Sequence, residues 1–298
     1  MAPTIEAVIE AIPAWAGRSV TAERIQAGLT NTNYRVDVDG TAHFVRIPGA
    51  ETDLLAVDRG NEIHNTRAAA RSGVSPQVLY TVPEWDVFVL EWLDATTMSV
   101  EGLRAPGMPA RIAETLRRLH AGPPFRDDFD MVRLSERYLA LVDERAIAIP
   151  AGYREHFDRI PRIEAALARH PLPVVPCHND LLAENYLDDG TTLWLVDFEY
   201  SGMNDPAFEL GDTALELSYD DAQVVELCAG YFGEASPALL ARIRLQMIVS
   251  DVAWTLWAAI QARISTIDFD FTGMADERWA RASATLDGPD FEGWLTTA

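Results

Sequence analysis

Two short apolar runs in the middle of the chain, each ending in polar residues, restrict the fold more than any other feature. The first, residues 173–177, leads toward Asp180 and Asn185, and the second, residues 193–196, ends at Asp197. An Asp-Asp-Gly turn lies between them, so a hairpin of apolar strands is expected to present two acids and an amide at fixed spacing. This spacing is what phosphoryl transfer from a nucleotide requires, whereas a surface hairpin that is polar by chance explains neither run.

Each of the three polar residues has a chemical role that suits this spacing. Asp180 is placed to accept the proton of an acceptor hydroxyl, and Asn185, five residues later, is placed to reach a magnesium ion. Asp197 can hold the magnesium that bridges the nucleotide phosphates. Little more is needed, because such catalysis is mostly positioning and charge neutralisation. Cys177 directly precedes His178, but the neighbourhood is accounted for without a reactive thiol.

Length, charge and cysteine content restrict the domain organisation, the binding partners and the cellular location that we expect. A chain of 298 residues can form one large domain or two lobes. Its net charge of −22 argues against nucleic-acid binding and favours a cationic small molecule and magnesium, although solubility alone would also explain it. All 24 basic residues are arginine, which excludes any lysine-dependent mechanism. Two cysteines, an N-terminus without signal-peptide features and the lack of an apolar run near membrane-spanning length predict a cytoplasmic protein without a membrane span.

The periodicity of the apolar residues divides the chain into two parts. The first part is predicted to contain two helices and four strands, at residues 5–16, 33–38, 42–47, 61–71, 77–82 and 87–92. The second part is predicted to be mainly helical, with an amphipathic helix at 110–120 and buried helices at 236–262. We therefore expect an α+β fold with an N-terminal nucleotide-binding lobe, residues 1–92, and a C-terminal catalytic and acceptor-binding lobe, residues 93–298.

Three segments resemble the choline/ethanolamine kinase family, which belongs to the protein-kinase-like small-molecule kinases. Cys177-His-Asn-Asp is similar to its catalytic loop, and Asp197-Phe-Glu-Tyr-Ser is similar to its metal-binding signature. The third segment, Trp254-Thr-Leu-Trp257, resembles a Trp-x-x-Trp helix that separates this family from aminoglycoside and thiamine kinases. The similarity extends from about residue 25 to residue 280. It implies a bilobal kinase fold that uses ATP and Mg²⁺, in which His178 braces the catalytic loop and Glu199 assists a second metal ion.

The same resemblance implies a nucleotide site in the first lobe. Arg46 stands where protein kinases have lysine, and Glu62 falls where an ion-pair partner would hold it, although an exposed Arg–Glu pair would give the same sequence. The turn around residues 28–33 is similar to the family's phosphate-covering turn, and the hinge near residue 92 would read the adenine edge through its backbone. The implied nucleotide-binding residues are Thr30, Asn31, Thr32, Arg46, Glu62, Glu91 and Leu93.

On the acceptor side, the resemblance implies a box of aromatic rings around a cationic head group. Its implied members are Tyr200, Trp254, Trp257 and Phe271, and Glu216 matches an acidic residue near the family's amine site. Buried core tryptophans would produce the same helical spacing. The chain departs from the family's eukaryotic pattern at four positions, which are Asp221, Asp270, Phe271 and Met274. These departures make the box less aromatic and more acidic. Because an R–NH₃⁺ group needs three hydrogen-bond acceptors, a more acidic box favours primary amines as substrates relative to choline.

From the residues and the resemblance together, we predict ATP- and Mg²⁺-dependent phosphorylation of the hydroxyl of a small amino alcohol. Choline is the first choice, and ethanolamine or a related amine follows closely. An aminoglycoside or thiamine kinase is the alternative enzyme. A catalytically silent nucleotide-binding relative is the alternative of another class, against which the intact Asp180, Asn185 and Asp197 argue. The sequence does not determine the oligomeric state, and a homodimer is compatible with it.

Overall fold

In a computed structural model, which describes residues 2–25, 31–49, 57–265 and 267–298, the N-terminal part contains a five-stranded antiparallel sheet. The strand order is β1-β2-β3-β5-β4. The elements of this part are α1 (Ile5–Ala11), β1 (Val20–Ile25), β2 (Thr32–Val38), β3 (Thr41–Ile47), α2 (Arg59–Arg71), β4 (Val78–Val82) and β5 (Val87–Glu91). The predicted strands are confirmed, while the first helix stops at Ala11 and a 3₁₀ turn, Pro13–Trp15, follows it.

The register of this sheet places polar side chains for the site. Asp39 and Gly40 form the predicted hairpin turn, with positive φ angles of 53° and 85° that Asp and Gly tolerate. In the resulting register Arg46 of β3 lies opposite Asn33 of β2 and Phe88 of β5. Apolar side chains from α1 and the strands cover one another in a separate small core. Arg46 therefore lies in a central strand of the sheet, and the strands that pair with it on both sides fix its position.

Over the described residues after β5, the C-terminal part is mainly helical, with five short strands. Its strands are β6 (Thr96–Thr97), β7 (Val175–Cys177), β8 (Tyr186–Asp188), β9 (Leu193–Leu195) and β10 (Gly202–Asn204). Its helices are α3 (Val100–Leu103), α4 (Met108–His120), α5 (Met131–Arg145), α6 (Tyr153–Phe157), α7 (Ile160–Leu167), α8 (Pro206–Glu216), α9 (Asp221–Phe232), α10 (Pro237–Ile264), α11 (Phe271–Leu286) and α12 (Phe291–Thr297). The change from sheet to helices follows β5, and the division at residue 92 stays a prediction.

One strand pairing differs from the expected hairpin over residues 174–197. Only β8 and β9 form a hairpin, while β7 pairs antiparallel with β10, beyond the second motif. The pairing requires a close approach, because a Cβ at Gly202 would lie 2.8 Å from the Cβ of Phe129 and 2.9 Å from the carbonyl oxygen of Asp127. This pairing brings the polar motif that follows β7 next to the polar motif that precedes β10.

Helix α10 is the centre of the C-terminal part. The expected buried helices at 236–262 are a single helix of 28 residues that packs against α5, α8, α11 and α12. By length and composition α10 could cross a membrane, but 89% of its apolar window is buried inside the protein. The amphipathic face predicted on α4 is also confirmed, since Ile112, Leu116 and Leu119 are completely buried in a second core.

Candidate active site

A buried acid on α8, Glu209, holds the loop that follows β7 through hydrogen bonds to the loop backbone. Both oxygens of Glu209, on α8, accept backbone hydrogen bonds, from the N–H of His178 at 2.7 Å and from the N–H of Asn179 at 2.8 Å. Glu209 is completely buried, so its carboxylate is committed to these donors. Burial also raises the pKa of the Cys177 thiol well above its usual value, which keeps it protonated and agrees with the expectation of no thiol chemistry.

His178 and Asn179 connect this loop to the segment that follows β9. The Nε2 of His178 lies 2.8 Å from the carbonyl oxygen of Val196, and its Nδ1 accepts the N–H of Asp180 at 3.3 Å. Burial lowers the pKa of His178, which agrees with a neutral ring protonated at Nε2. Asn179, with a positive φ of 67°, donates its amide to the carbonyl oxygen of Tyr200 at 3.0 Å. His178 thus occupies a bracing position.

Asp180 and Asn185 are joined across the turn between them. The Nδ2 of Asn185 donates to the backbone carbonyl oxygen of Asp180 at 2.8 Å, which leaves the amide oxygen of Asn185 as its remaining ligand atom. Burial raises the pKa of the Asp180 carboxyl well above its usual value, and the nearby carboxylates of Asp212 and Asp197 raise it further. A cation bound nearby would favour the ionised form of this acid.

Asp197 meets Arg46 across the two parts of the molecule. The Nη1 of Arg46 lies 2.6 Å from Asp197 Oδ1 and 2.6 Å from Glu62 Oε1, so the predicted Arg46–Glu62 pair forms and is buried rather than exposed. Burial alone would raise the pKa of Asp197, but Arg46 outweighs it and the pKa lies below its usual value. The backbone of Asp197 is left-handed, with φ 71°, which aspartate accepts more readily than most residues.

A second arginine, which the sequence reading did not single out, binds the other candidate metal ligand. Arg59, the first residue of α2, lies 2.7 Å from Glu62 Oε2 and 3.0 Å from Glu199 Oε2. Asn31 also donates to Glu199, at 3.1 Å. Burial and the neighbouring Asp197 carboxylate raise the pKa of Glu199. Glu62 is therefore shared by two arginines that each hold one acid of the C-terminal part.

Three of the seven expected nucleotide-binding residues line one cleft of about 330 Å³ between the sheet and the helices. Its walls include Phe44, Phe88 and Leu90 of the sheet, and the hinge residues line one end. The predicted members among its lining residues are Arg46, Glu91, Leu93, Asn185 and Asp197. Thr32 lies at the start of β2, opposite Ile47. Thr30 falls outside the described residues, so its predicted role remains a sequence expectation.

The four expected aromatic residues contact one another, and one of them, Tyr200, follows Asp197 by three positions in the chain. Trp254 meets Tyr200 edge to face at 5.0 Å between ring centroids and Trp257 at 6.1 Å, and Trp257 meets Phe271 at 5.9 Å. The indole N–H of Trp257 donates to the Tyr200 hydroxyl at 2.8 Å. All four side chains are at most 7% exposed. These residues, which we call the aromatic box, form one closed cluster.

Two of the acids near the aromatic box have arginine partners, while a third, Asp212, accepts the indole N–H of Trp254 at 3.2 Å. Glu216 lies 2.7 Å from Arg278 on α11, and Asp251 lies 2.6 Å from Arg281 on the same helix. Glu216, which the resemblance places near the amine site, is thus held in an ion pair. Asp221, which replaces an aromatic residue of the family pattern, contacts Arg244 on the surface. The acidity that the sequence suggested for the box is therefore largely compensated.

The donor set between Asn185 and Glu199 fits a magnesium ion. Asn185, Asp197 and Glu199 supply an amide oxygen and carboxylate oxygens, which are the ligands that this hard cation prefers. The guanidinium groups of Arg46 and Arg59 already lie against the two carboxylates, so the site accommodates positive charge. These residues could hold the ion, and its charge would offset that of a nucleotide's phosphates.

Sequence reasoning missed Arg59, Asn179, Glu209 and Asp212, which all support the candidate site. A signal for two of them was available. Glu209 and Asp212 are acids three residues apart in an otherwise apolar segment, and a buried acid must find donors. Arg59 and Asn179 gave no comparable signal, because their partners come from distant parts of the chain.

Comparison with known proteins assigns these features to a family. Residues 21–245 match the model of the phosphotransferase enzyme family. A solved choline/ethanolamine kinase family protein from Mesorhizobium loti is 39% identical, with a TM-score of 0.86 over 98% of this chain and 97% of that one. Choline kinase LicA from Streptococcus pneumoniae is 25% identical, with a TM-score of 0.81 over 95% and 98%. Mouse ethanolamine kinase 2 is 28% identical over 87% of this chain and 74% of its own length.

Proposed function

The chain belongs to the phosphotransferase enzyme family and, within it, to the choline/ethanolamine kinases, and we propose that it transfers the γ-phosphoryl group of ATP to choline with the help of Mg²⁺. That it is a kinase acting on the hydroxyl of a small amino alcohol follows from its family. The nucleotide, the metal ion and the choice of amine are the parts that we propose. The cytoplasmic location and the homodimer stay predictions from the sequence.

One observation carries the proposal. The tetrapeptide from Asp197 to Tyr200 begins in the nucleotide cleft and ends in the aromatic box, so the two binding regions are joined by residues only three positions apart in the chain. Asn179 fixes the far end of this tetrapeptide to the catalytic loop through the carbonyl oxygen of Tyr200. A phosphate donor in the cleft and a hydroxyl tethered by its amine in the box would therefore approach each other beside Asp180.

We assign the residues the following roles within this arrangement. Asp180 orients the acceptor hydroxyl and accepts its proton, while Asn185, Asp197 and Glu199 would hold Mg²⁺. Arg46 binds the phosphates and Glu62 positions Arg46. Bound magnesium would neutralise charge on the transferred group, and it would also help to keep Asp180 ionised. His178 acts through the loop that it braces and transfers no proton itself.

The state of the polar groups around the box favours choline over ethanolamine. Both indole N–H groups already have acceptors, and the nearby Glu216 and Asp251 are paired with arginines. A primary ammonium needs three hydrogen-bond acceptors, whereas a trimethylammonium needs aromatic faces and a moderate negative potential.

The experiment is a kinetic comparison of purified protein on a series that differs only in methylation. Ethanolamine, N-methylethanolamine, N,N-dimethylethanolamine and choline are assayed with ATP and Mg²⁺ by ADP release, with Asp180→Asn as the inactive control. We expect kcat/KM to rise with each methyl group and the activity to require Mg²⁺. A preference for ethanolamine would contradict the choice of amine, and turnover of an aminoglycoside alone would contradict the substrate class.

A further inference from the structure

Asp212 stands between the catalytic loop and the aromatic box, although neither motif includes it. It lies on α8, three residues after Glu209 and thus on the same face of the helix, and it is completely buried. Glu209 supports the loop at His178 and Asn179, while Asp212 accepts the N–H of Leu181 at 3.1 Å. The two acids therefore hold the loop on both sides of Asp180.

The second oxygen of Asp212 faces a different element. Its Oδ1 accepts the hydroxyl of Ser250 at 2.7 Å and the indole N–H of Trp254 at 3.2 Å, both on α10. The Oδ2 is the oxygen that Leu181 uses. Because a carboxylate group is rigid and planar, one side chain fixes the distance between the loop and one wall of the box. Trp254 in turn sets the edge-to-face contact with Tyr200.

We propose that Asp212 is a positioning residue that couples the amine-binding wall to the catalytic loop, so that a seated amine places its hydroxyl against Asp180. The proposal rests on the proposed function for its substrate. It differs from a purely structural role, in which Asp212 would only satisfy buried donors. A displacement of about 1 Å between reacting groups can cost roughly 100-fold in rate, so a link of this kind affects turnover as well as stability.

The electrostatic setting is consistent with this link. Burial, and next the carboxylate of Glu216, raise the pKa of Asp212 to about 7, against the hydrogen bonds from Ser250 and Leu181 that lower it. Asp212 is also one of the acids that raise the pKa of Asp180. A cation in the box would stabilise the charged form of Asp212, which accepts the two N–H groups more strongly than the neutral acid does.

Four variants test the coupling. Asp212→Ala removes both ends of the link, and we expect kcat to fall by roughly 10- to 100-fold and the acceptor KM to rise by about tenfold, with the KM of ATP unchanged. Asp212→Asn can keep one oxygen for Leu181 and donate to Ser250, so kcat should recover while the acceptor KM stays high. Trp254→Phe loses the box end alone. Thr255→Ala is the matched control, because it removes a buried hydroxyl of α10 that donates to the backbone carbonyl oxygen of Asp251 and not to Asp212, and it should behave like the parent.

A measurement without turnover separates this proposal from the proposed function. Amide hydrogen exchange at Leu181 should be faster in Asp212→Ala and also in Trp254→Phe, because both change the same carboxylate. If the parent phosphorylates no amino alcohol, the proposed function fails, and the exchange data still decide the link. If Asp212→Ala does not fold, Asp212→Asn and Trp254→Phe supply the comparison.

Two outcomes would overturn the coupling. The first is a folded Asp212 variant with the parent's kcat and acceptor KM, or one in which the KM of ATP rises as much as that of the amine. The second is unchanged protection of the Leu181 amide in Trp254→Phe. A lower melting temperature without either kinetic change would leave Asp212 with a structural role only.

Discussion

The nucleotide side of the site is built from charged side chains, whereas the acceptor side is built from aromatic rings. On the nucleotide side, Arg46 and Arg59 of the N-terminal part meet Asp197 and Glu199 of the C-terminal part through buried ion pairs. On the acceptor side, aromatic rings from the C-terminal part alone pack against one another. Ion pairs can exchange partners when a metal ion and phosphates arrive, whereas packed rings are fixed once the helices fold.

This difference implies that the two sides respond differently to substitution. A change on the nucleotide side should alter chemistry and metal dependence, because the groups there carry charge. A change in the aromatic box should alter one substrate's affinity and the stability of the helical core. Removing a charge on the nucleotide side should therefore cost the most activity, and titrating a single buried carboxyl should have the smallest effect.

The largest effect is expected at Asp197. Asp197→Ala should abolish Mg²⁺-dependent ADP release, because the phosphate-bridging charge loses its anchor. The measurement is initial rate against magnesium concentration, with the melting temperature as a control for loss of the Arg46 pair. Activity that persists at ordinary magnesium concentrations would show that another residue holds the ion.

The next effect is expected at the boundary between the two sides. Asp180→Asn should lower kcat by about 10²- to 10⁴-fold, the usual contribution of a positioned general base, while the affinity for ATP changes little. Turnover is followed by ADP release, and ATP affinity by equilibrium titration of the same variant. Turnover close to that of the parent would remove Asp180 from the catalytic role.

In the box, Trp257→Ala should raise the acceptor KM by about thirty-fold, from the loss of a cation–π contact of roughly 2 kcal/mol. Trp279 is the matched control, since it is 6% exposed on α11 but packs on Tyr153 and donates to the carbonyl oxygen of Ala151. Trp279→Ala should lower the melting temperature and leave both KM values of the folded fraction unchanged. Equal effects of the two variants would reduce the box to ordinary core.

The smallest effect concerns pH and contrasts two buried carboxyls. Arg46 keeps the pKa of Asp197 below its usual value, whereas that of Asp212 is raised to about 7 from its usual 3.8. A raised pKa means that the folded state holds the proton more tightly, so Asp212's contribution to stability is fully present below about pH 4 and is lost as the pH rises through 7. Melting temperatures of the parent should therefore fall relative to Asp212→Asn across that window. Parallel curves would contradict the shift.

The sequence predicted local features of the site better than long-range ones. Asp180, Asn185 and Asp197 were identifiable because their spacing is set within one short stretch of chain. The rings of Trp254 and Trp257 were placed together by helical spacing. The pairing of β7 with β10 was not predicted, because nothing in the strand itself selects its partner.

Charge partners were the hardest feature to predict. The acids suggested a more acidic box, but Arg278 of α11 pairs with Glu216 from 62 residues away in the sequence. Arg59 reaches Glu199 across 140 residues. Such pairs depend on how the two parts of the molecule pack, which no local pattern encodes.

The position of α10 in the chain has a consequence for biosynthesis. The helices that cover it on one side, α11 and α12, are translated after it. While the ribosome is still making them, a long apolar helix lacks part of its cover, and exposed surface of this kind promotes aggregation and chaperone binding. Premature termination within α11 should therefore yield insoluble chains even though every motif of the nucleotide cleft has been made.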